Sequence, residues 1–394
     1  MTFVGDGLRR GGSRLESLVH AIDERLLVRD LPFGDLLWHQ TPRNPQQARL
    51  DRASTFAELM SLTVRAPRAQ VRCCQDVIAS SCAYALTHRV GLVARVLTDD
   101  DVRRLLDAPT AVSWMRSALR DADGGRLVTP ARVHTELGWG RLVFTTGALD
   151  GEWYGYRSYD TFPTSSGEQL VVVHDWETGH LRGLAVGNEL GPRRVGAIGG
   201  VAADELANPA ARTLGLIGTG VQAWNQLWAI SAVRDLAEVR VYSRDSGRRG
   251  AFADRARTGL AIPARAVDSA QVAVEGADVI VLATSSGSPV IEAAWVAAGA
   301  YLTTLGPKQI GHAEFGSELV ARADVAVTDS IAQISAYDPP NILVGTQAEE
   351  RLVSLGAVVS GSAPGRTHED QIVVFCSVGL AGTEAYLLAK LLTG

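Results

Sequence analysis

Cysteine is scarce in this chain, and the few cysteines present do not suggest a structural role. Their spacing matches neither a disulfide framework nor a zinc site, at positions Cys73, Cys74, Cys82 and Cys376. We therefore expect reduced thiols. No metal site is predicted either, because no cluster of histidine, cysteine and aspartate has the spacing of metal ligands.

Three further deficits narrow the class of protein. The chain has no basic surplus, since its net charge is -5 and its pI is near 5.9, which argues against a nucleic-acid partner. No apolar run is long enough to span a membrane. The first residues, Met-Thr-Phe-Val-Gly-Asp, lack the charged and apolar regions of a secretion signal. We expect a cytoplasmic enzyme without membrane or nucleic-acid partners, and 394 residues suffice for two or three domains.

The most informative segment is a glycine-rich stretch at residues 213–223. A short buried strand is indicated by Leu214, Leu216 and Ile217, and an amphipathic helical run follows the glycines. This context is typical of a dinucleotide-binding turn, in which the first glycine permits the turn and the second lets backbone amides approach a pyrophosphate. The predicted cofactor-binding residues are Gly218, Thr219, Gly220, Val221 and Gln222.

Three regions follow one another along the chain. Residues 1–90 carry helical patterns. The next region combines a predicted helix, Asp99–Leu119, with strand-like segments at Arg141–Thr145 and Gln169–His174. From residue 213 to 330, strands alternate with helices, the strands being predicted at 213–217, 238–243, 278–283, 300–305 and 324–328. Such alternation predicts an α/β fold with a Rossmann-type, doubly wound parallel sheet.

The end of the second predicted strand bears on the choice between NADP and NAD. Ser243-Arg244-Asp245 places a basic residue where a ribose 2′-phosphate would lie, with Ser243 as a further donor. We therefore favour NADP(H) over NAD(H). The alternative is that Arg244 is a solvated arginine and Asp245 binds the ribose. Thr284 and Ser285, after another strand, are predicted to line the ribose or nicotinamide, although a simple turn would explain them equally.

Several motifs together resemble the ornithine cyclodeaminase/mu-crystallin family, from about Val90 to the C-terminus. Each motif alone is weakly specific, but they occur in the family's order: Leu97–Val102, Thr129–Arg132, Asp175–Gly179, Arg193–Ala197, Gly218–Ala223, Pro364–Arg366 and Ser377–Gly379. The resemblance implies a mixed α+β substrate and dimerisation domain interrupted by a nucleotide-binding domain. On this basis 91–204 and 336–394 are assigned to the former and 205–335 to the latter. Residues 1–90 exceed the family's pattern and are predicted to form a mostly helical extension.

The resemblance also implies a homodimer and a small amino- or imino-acid substrate whose carboxylate is held by three cations. Their counterparts are Arg132, Arg157 and Arg194, with arginine standing at 157 where lysine is usual. A guanidinium can still grip a carboxylate through two parallel bonds. By the same resemblance, Val378 is expected to contact substrate, and Leu305, His312 and Ser377 the cofactor.

The segment Gly306–Glu314 departs from the family's pattern at the position of a catalytic aspartate. Lys308 stands there, and Glu314 matches a glutamate expected to be structural. A lysine would repel the distal amine of ornithine, but it could protonate an imine nitrogen or bind an anionic group. We predict Lys308 as the catalytic residue. The alternative is a lysine that swings to the surface or touches a cofactor phosphate.

Three functions are compatible with these features. The first is an NAD(P)H-dependent reductase of a ketimine or cyclic imino acid, or the reverse amino-acid dehydrogenase. The second is a cyclodeaminase of ornithine or lysine with recycled NAD, which the missing aspartate disfavours. The third is a weakly catalytic NADPH-binding protein.

Overall fold

A seven-stranded sheet comes first in the computed structural model of the protein, which describes residues 94–393. Its order is β1-β7-β6-β5-β4-β2, with β3 paired to β4; β1 runs parallel to β7, and the other pairs are antiparallel. The strands are β1 Arg95–Leu97, β2 Leu127–Val128, β3 Val133–Glu136, β4 Arg141–Leu149, β5 Trp153–Asp160, β6 Gln169–Asp175 and β7 Leu181–Gly187. The predicted helical extension over 1–90 lies outside the described residues.

Two helices stand where the sequence predicted one over Asp99–Leu119. Helix α1 spans Asp99–Leu105 and α2 spans Ala108–Asp123. The break has a local cause, because Asp107 caps α2 by accepting from Thr110 N at 2.8 Å and a proline follows in the first turn. Proline lacks the N–H that a continuous helix would need there, so it favours a new helix start.

The second sheet contains eight strands, all parallel, in the order β10-β9-β8-β11-β12-β17-β15-β16. They are β8 Thr213–Ile217, β9 Glu238–Tyr242, β10 Ala264–Ala266, β11 Val279–Leu282, β12 Tyr301–Thr304, β15 Val325–Thr328, β16 Leu352–Ser354 and β17 Val373–Cys376. A small antiparallel ribbon joins β13 Lys308–Gln309 to β14 His312–Ala313. Counted from β8, the first five strands have the Rossmann order 3-2-1-4-5, which confirms the predicted fold class.

Helices cover this sheet because its central strands are apolar along their whole length. All four residues of β11 are buried, as expected for a parallel strand covered on both faces. The remaining helices are α3 Leu190–Leu206, α4 Val221–Ile230, α5 Ser246–Gly259, α6 Ala270–Val274, α7 Ser317–Arg322, α8 Ile331–Ser335, α9 Gln347–Glu350, α10 Leu355–Ser360 and α11 Thr383–Thr393. None of the helices between residues 94 and 393 is long and apolar enough to cross a membrane.

The C-terminal part of the chain, which was predicted to return to the substrate domain over 336–394, contributes elements that contact both sheets. Strand β16 extends the parallel sheet, and β17 lies inside it, between β12 and β15. Helix α11 packs on the first sheet, chiefly against β5, β6 and β7, and α10 packs on α2. The four residues of β17 are all buried, and an apolar strand carries no local signal for the sheet that it joins.

Candidate active site

The glycine-rich turn between β8 and α4 has the geometry of a phosphate cradle. Gly218 has φ +115°, and a Cβ there would lie 2.2 Å from the carbonyl oxygen of Ala283, so only glycine fits. Gly220 is the N-cap of α4 and makes no side-chain cap, while a Cβ there would meet open space. The first N–H groups of α4 therefore have no side-chain partner and suit an anionic ligand such as a pyrophosphate.

The three residues after β9 take different roles. Asp245 caps α5, its carboxylate accepting from Arg248 N at 3.0 Å. Ser243 Oγ donates to the carbonyl oxygen of Asp245 at 2.9 Å. Arg244 is exposed and forms no ion pair with other residues in the range 94–393. One carboxylate oxygen of Asp245, the alternative ribose ligand, is thus engaged in a helix cap, whereas the guanidinium of Arg244 remains accessible.

Glu314 ties together the loops that follow β11 and β12. This carboxylate is fully buried and accepts from Thr284 N at 2.9 Å, Thr284 Oγ1 at 2.8 Å, Leu305 N at 3.0 Å and Gly306 N at 2.6 Å. Its contacts agree with the structural role expected for it. They also commit the Thr284 hydroxyl proton to Glu314, while Ser285 is exposed. The exposed His312 lies against Gly287.

A cavity of about 390 Å³ opens beside these loops and brings eight of the predicted site residues together. Four of them are cationic, which makes the cavity suited to an anionic ligand. The eight residues are Arg132, Arg157, Arg194, Gln222, Leu305, Lys308, Ser377 and Val378. The other predicted cofactor residues, among them Arg244 and His312, do not line this cavity.

Each cavity arginine is held by a different element. Arg132 precedes β3; its backbone N–H donates to Gln333 Oε1 at 3.0 Å, and its guanidinium donates to the carbonyl oxygen of Val378. Arg157 lies on β5, with its guanidinium 4.1 Å from the ring centroid of Tyr159. Arg194 lies on α3 and is only 4% exposed. Three segments that are distant in the sequence therefore bring their arginines to one cavity, and this proximity cannot be predicted from any local sequence pattern.

Sequence reasoning missed Glu384, a buried carboxylate on α11 that contacts two of these arginines. Its Oε1 accepts from Arg157 Nη1 at 2.5 Å and also from Arg194 Nη2. Burial alone would raise the pKa of Glu384, but the charges of Arg194 and Arg157 outweigh it and lower the pKa below its usual range. Glu384 is thus an ionised carboxylate. It is 227 and 190 residues from its partners, so no sequence motif reports the contact.

Asp329 is a second missed residue, and it shapes the loop that carries Ser377 and Val378. Its carboxylate accepts from Val378 N at 2.8 Å and from Gly379 N at 2.9 Å, and Ser377 Oγ lies 3.3 Å away. Gly379 has φ +88°. A Cβ on Gly379 would lie 3.2 Å from Arg194 Nη1 and 3.5 Å from Arg132 Nη2. A glycine here therefore leaves room between two guanidiniums.

Lys308 begins β13 and points into the protein, not to its surface. It is 4% exposed, and its Nζ donates to the carbonyl oxygens of Leu305 at 3.1 Å and Gly306 at 2.5 Å. The alternative of a surface lysine is therefore wrong. An ammonium has three donors. With two committed to carbonyls, one N–H remains for a ligand in the cavity that Lys308 lines.

Residues 93–391 match the model of the ornithine cyclodeaminase/mu-crystallin family. A Δ1-pyrroline-2-carboxylate reductase of Bacillus cereus is 29% identical over 300 residues, which cover 73% of this chain and 92% of the relative. The structure is also similar to that of the Thermococcus litoralis Δ1-pyrroline-2-carboxylate reductase in complex with NADH and L-proline, with a TM-score of 0.70 and 27% identity over 75% of this chain and 95% of that one. The structure of an archaeal alanine dehydrogenase dimer with bound NAD is similar as well, with a TM-score of 0.69 and 26% sequence identity. The match covers 76% of this chain and 94% of that one.

Proposed function

The chain belongs to the ornithine cyclodeaminase/mu-crystallin family, and we propose that it is a nicotinamide-dependent oxidoreductase of a small imino or amino acid. It transfers hydride at the carbon that bears nitrogen, as a ketimine or cyclic imine reductase or, in reverse, as an amino-acid dehydrogenase. One observation carries this proposal: three arginines and Lys308 line the same cavity as Gln222 from the dinucleotide turn. An anion-binding site thereby adjoins a cofactor cradle.

The arginines act on the substrate carboxylate. Arg132, Arg157 and Arg194 lie on separate elements around the cavity, so they can hold a carboxylate from more than one direction. Bidentate bonds from guanidinium to carboxylate fix orientation as well as position. Binding in a fixed orientation means that translational and rotational entropy is lost before the reaction step, which lowers the activation barrier. The arginines thereby orient the imine carbon for reaction. Val378, on the same wall, limits the space beside the substrate.

Lys308 supplies the proton of the reduction. When bound, the reduced nicotinamide supplies the hydride that the imine carbon accepts. The imine nitrogen then takes a proton from the Lys308 ammonium, so that C=N becomes CH–NH and the lysine is left neutral until solvent reprotonates it. The two carbonyl contacts of Nζ keep this donor at one place in the cavity.

The cofactor is NADP(H) in preference to NAD(H). Gly218, Thr219, Gly220, Val221 and Gln222 form the turn that receives the pyrophosphate. The accessible Arg244 supports a 2′-phosphate, because Asp245 already caps α5. Ser243 lies beside it and would donate to that phosphate only on releasing the carbonyl oxygen of Asp245. Leu305 and Ser377, which line the cavity, border the nicotinamide end of the cofactor. Outside the cavity, Thr284 and Ser285 are assigned to the ribose or nicotinamide, and His312 to a further cofactor contact.

The active form is a homodimer built on the first sheet. Strand β3 and the turn that joins it to β4 expose large apolar side chains close together in the sequence, with Val133 at 63%, Leu137 at 43% and Trp139 at 65% exposure. Such side chains are typical of protein–protein contacts when they cluster. The similar alanine dehydrogenase is a dimer, which supports the same assembly. Light scattering of the purified chain tests it, and a monomer at micromolar concentration would contradict it.

The test of the reaction is NADPH oxidation with Δ1-pyrroline-2-carboxylate and with 2-oxo acids plus amines. The matched control is the carboxamide of the same cyclic imine, which lacks the anion that the arginines bind. Ammonia release from ornithine and lysine is followed in parallel. We expect NADPH to be consumed with the imino carboxylate but not with its carboxamide, and we expect no ammonia release from ornithine or lysine. Ammonia release without net cofactor oxidation would instead establish a cyclodeaminase, and tight NADPH binding without any turnover a binding protein.

A further inference from the structure

A buried carboxylate behind the cavity wall joins two of the arginines that face the substrate. Glu384 Oε1 accepts from Arg157 Nη1 at 2.5 Å and from Arg194 Nη2. Its side chain is 1% exposed and does not line the cavity, whereas both arginines do. Glu384 therefore reaches the two guanidiniums from the side opposite the ligand.

One nitrogen that Glu384 does not bind, Arg194 Nη1, lies near the third arginine. A guanidinium presents five donors in a planar fork. Within residues 94–393, Arg194 Nε and Nη1 and Arg157 Nε are buried without a hydrogen-bond partner. Arg194 Nη1 and Arg132 Nη2 lie 3.2 and 3.5 Å from the same point, the Cβ position of Gly379 on the cavity wall. Donors from two arginines thus converge on one place in the cavity.

We propose that Glu384 is a positioning residue for the substrate carboxylate, a role that rests on the proposed function. Because it binds one nitrogen of each guanidinium, it fixes the planes of Arg157 and Arg194. The remaining donors are then aligned for a planar carboxylate, which needs parallel bonds to its two oxygens. The lowered pKa of Glu384 supports this role, since it keeps the carboxylate ionised and able to pair with both guanidiniums.

The measurement must distinguish the alignment of the arginine donors from simple attraction of an anion and from a change in the stability of the fold. Pyrrole-2-carboxylate and pyrrole-2-sulfonate carry the same charge, but the first anion is planar and the second tetrahedral. The ratio of their dissociation constants on the NADPH-loaded protein therefore reports the geometry of the donors, and calorimetry measures it without turnover.

Glu384→Gln keeps the size of the side chain and removes its charge. We expect the preference for carboxylate over sulfonate to fall at least about fivefold, while the Kd for NADPH is unchanged. With an imino-acid substrate, kcat is expected to fall at least about tenfold with little rise in KM, since looser donors misplace the substrate while the lost negative charge favours any anion. Glu384→Asp keeps the charge, but it is one methylene shorter and reaches one arginine, so we expect an intermediate ratio.

Glu205→Gln is the matched control, because it removes a glutamate that pairs with Arg116 and lies about three helical turns from Arg194 along α3. It should lower Tm without changing the anion ratio, kcat or KM. The proposal is overturned if Glu384→Gln behaves like Glu205→Gln, or, should the glutamine variant not fold, if Glu384→Asp keeps the wild-type ratio. A wild-type protein that binds both anions yet reduces no imino acid contradicts the proposed function alone, and the ratio still decides the role of Glu384.

Discussion

The ammonium of Lys308 donates a hydrogen bond of 2.5 Å to the carbonyl oxygen of Gly306. This contact, with a second one to Leu305, holds the only cavity-lining lysine of the chain at the carboxyl end of β12. Ligands of open α/β sheets bind at that edge. The position is therefore favourable for a group that must meet both substrate and cofactor.

Replacing Lys308 by methionine should abolish proton delivery and spare the fold. Methionine has a similar length and suits a buried site, so we expect kcat for imine reduction to fall about 100-fold or more with the Kd for NADPH unchanged. The chain has one other lysine, Lys390, which makes Lys390→Met a matched control. Steady-state kinetics check the prediction, and wild-type kcat in Lys308→Met would exclude the lysine as the proton donor.

Gly220→Ala tests the phosphate cradle without disturbing protein contacts. A Cβ at Gly220 meets nothing within 4 Å, and its φ of -83° is accessible to alanine. Any loss of NADPH affinity would then come from the methyl group meeting the cofactor; we expect about 1–3 kcal/mol, roughly 5- to 150-fold in Kd. Gly250→Ala on α5, also in open space, should leave Kd unchanged. Fluorescence titration measures both, and equal Kd values would place the cofactor elsewhere.

Arg244→Ala should weaken NADPH binding selectively. A charge-assisted bond to the 2′-phosphate is lost, so we expect the Kd for NADPH to rise about 10- to 100-fold and that for NADH to change little. Arg104→Ala, which removes another exposed arginine, on α1, serves as the control. If NADH binds more tightly than NADPH in the wild type, the assignment of a 2′-phosphate site fails irrespective of the variant.

Gly379→Ala should obstruct the meeting point of two arginines. The added methyl group would lie 3.2 Å from Arg194 Nη1 and 3.5 Å from Arg132 Nη2, so we expect KM for the imino acid to rise about tenfold. The positive φ also costs about 1–2 kcal/mol of stability. Gly361→Ala isolates that cost, because Gly361 has φ +75° and open space around its Cβ position. Equal KM values in the two variants would show that Gly379 does not adjoin the substrate.

Local pattern was sufficient where neighbours in sequence are neighbours in space. Strand β8, the turn at Gly218 and Gly220, and helix α4 follow one another without interruption, so their glycine spacing predicted them directly. The break between α1 and α2 was not predicted from the sequence, because the apolar periodicity continues across Asp107, the residue that caps α2. The position of β17 within the parallel sheet was not predicted either, since a buried apolar strand can pair in either sheet.

The sequence by itself determined the dinucleotide turn, which is one contiguous motif, and the family and the set of cationic residues, which follow from several short motifs in a fixed order. Only the tertiary structure decided that Arg132, Arg157, Arg194 and Lys308 line one cavity, and that Glu384 and Asp329 support it. The physical reason is distance along the chain. Glu384 lies 227 residues from Arg157, and its contact exists only once α11 has packed on the first sheet.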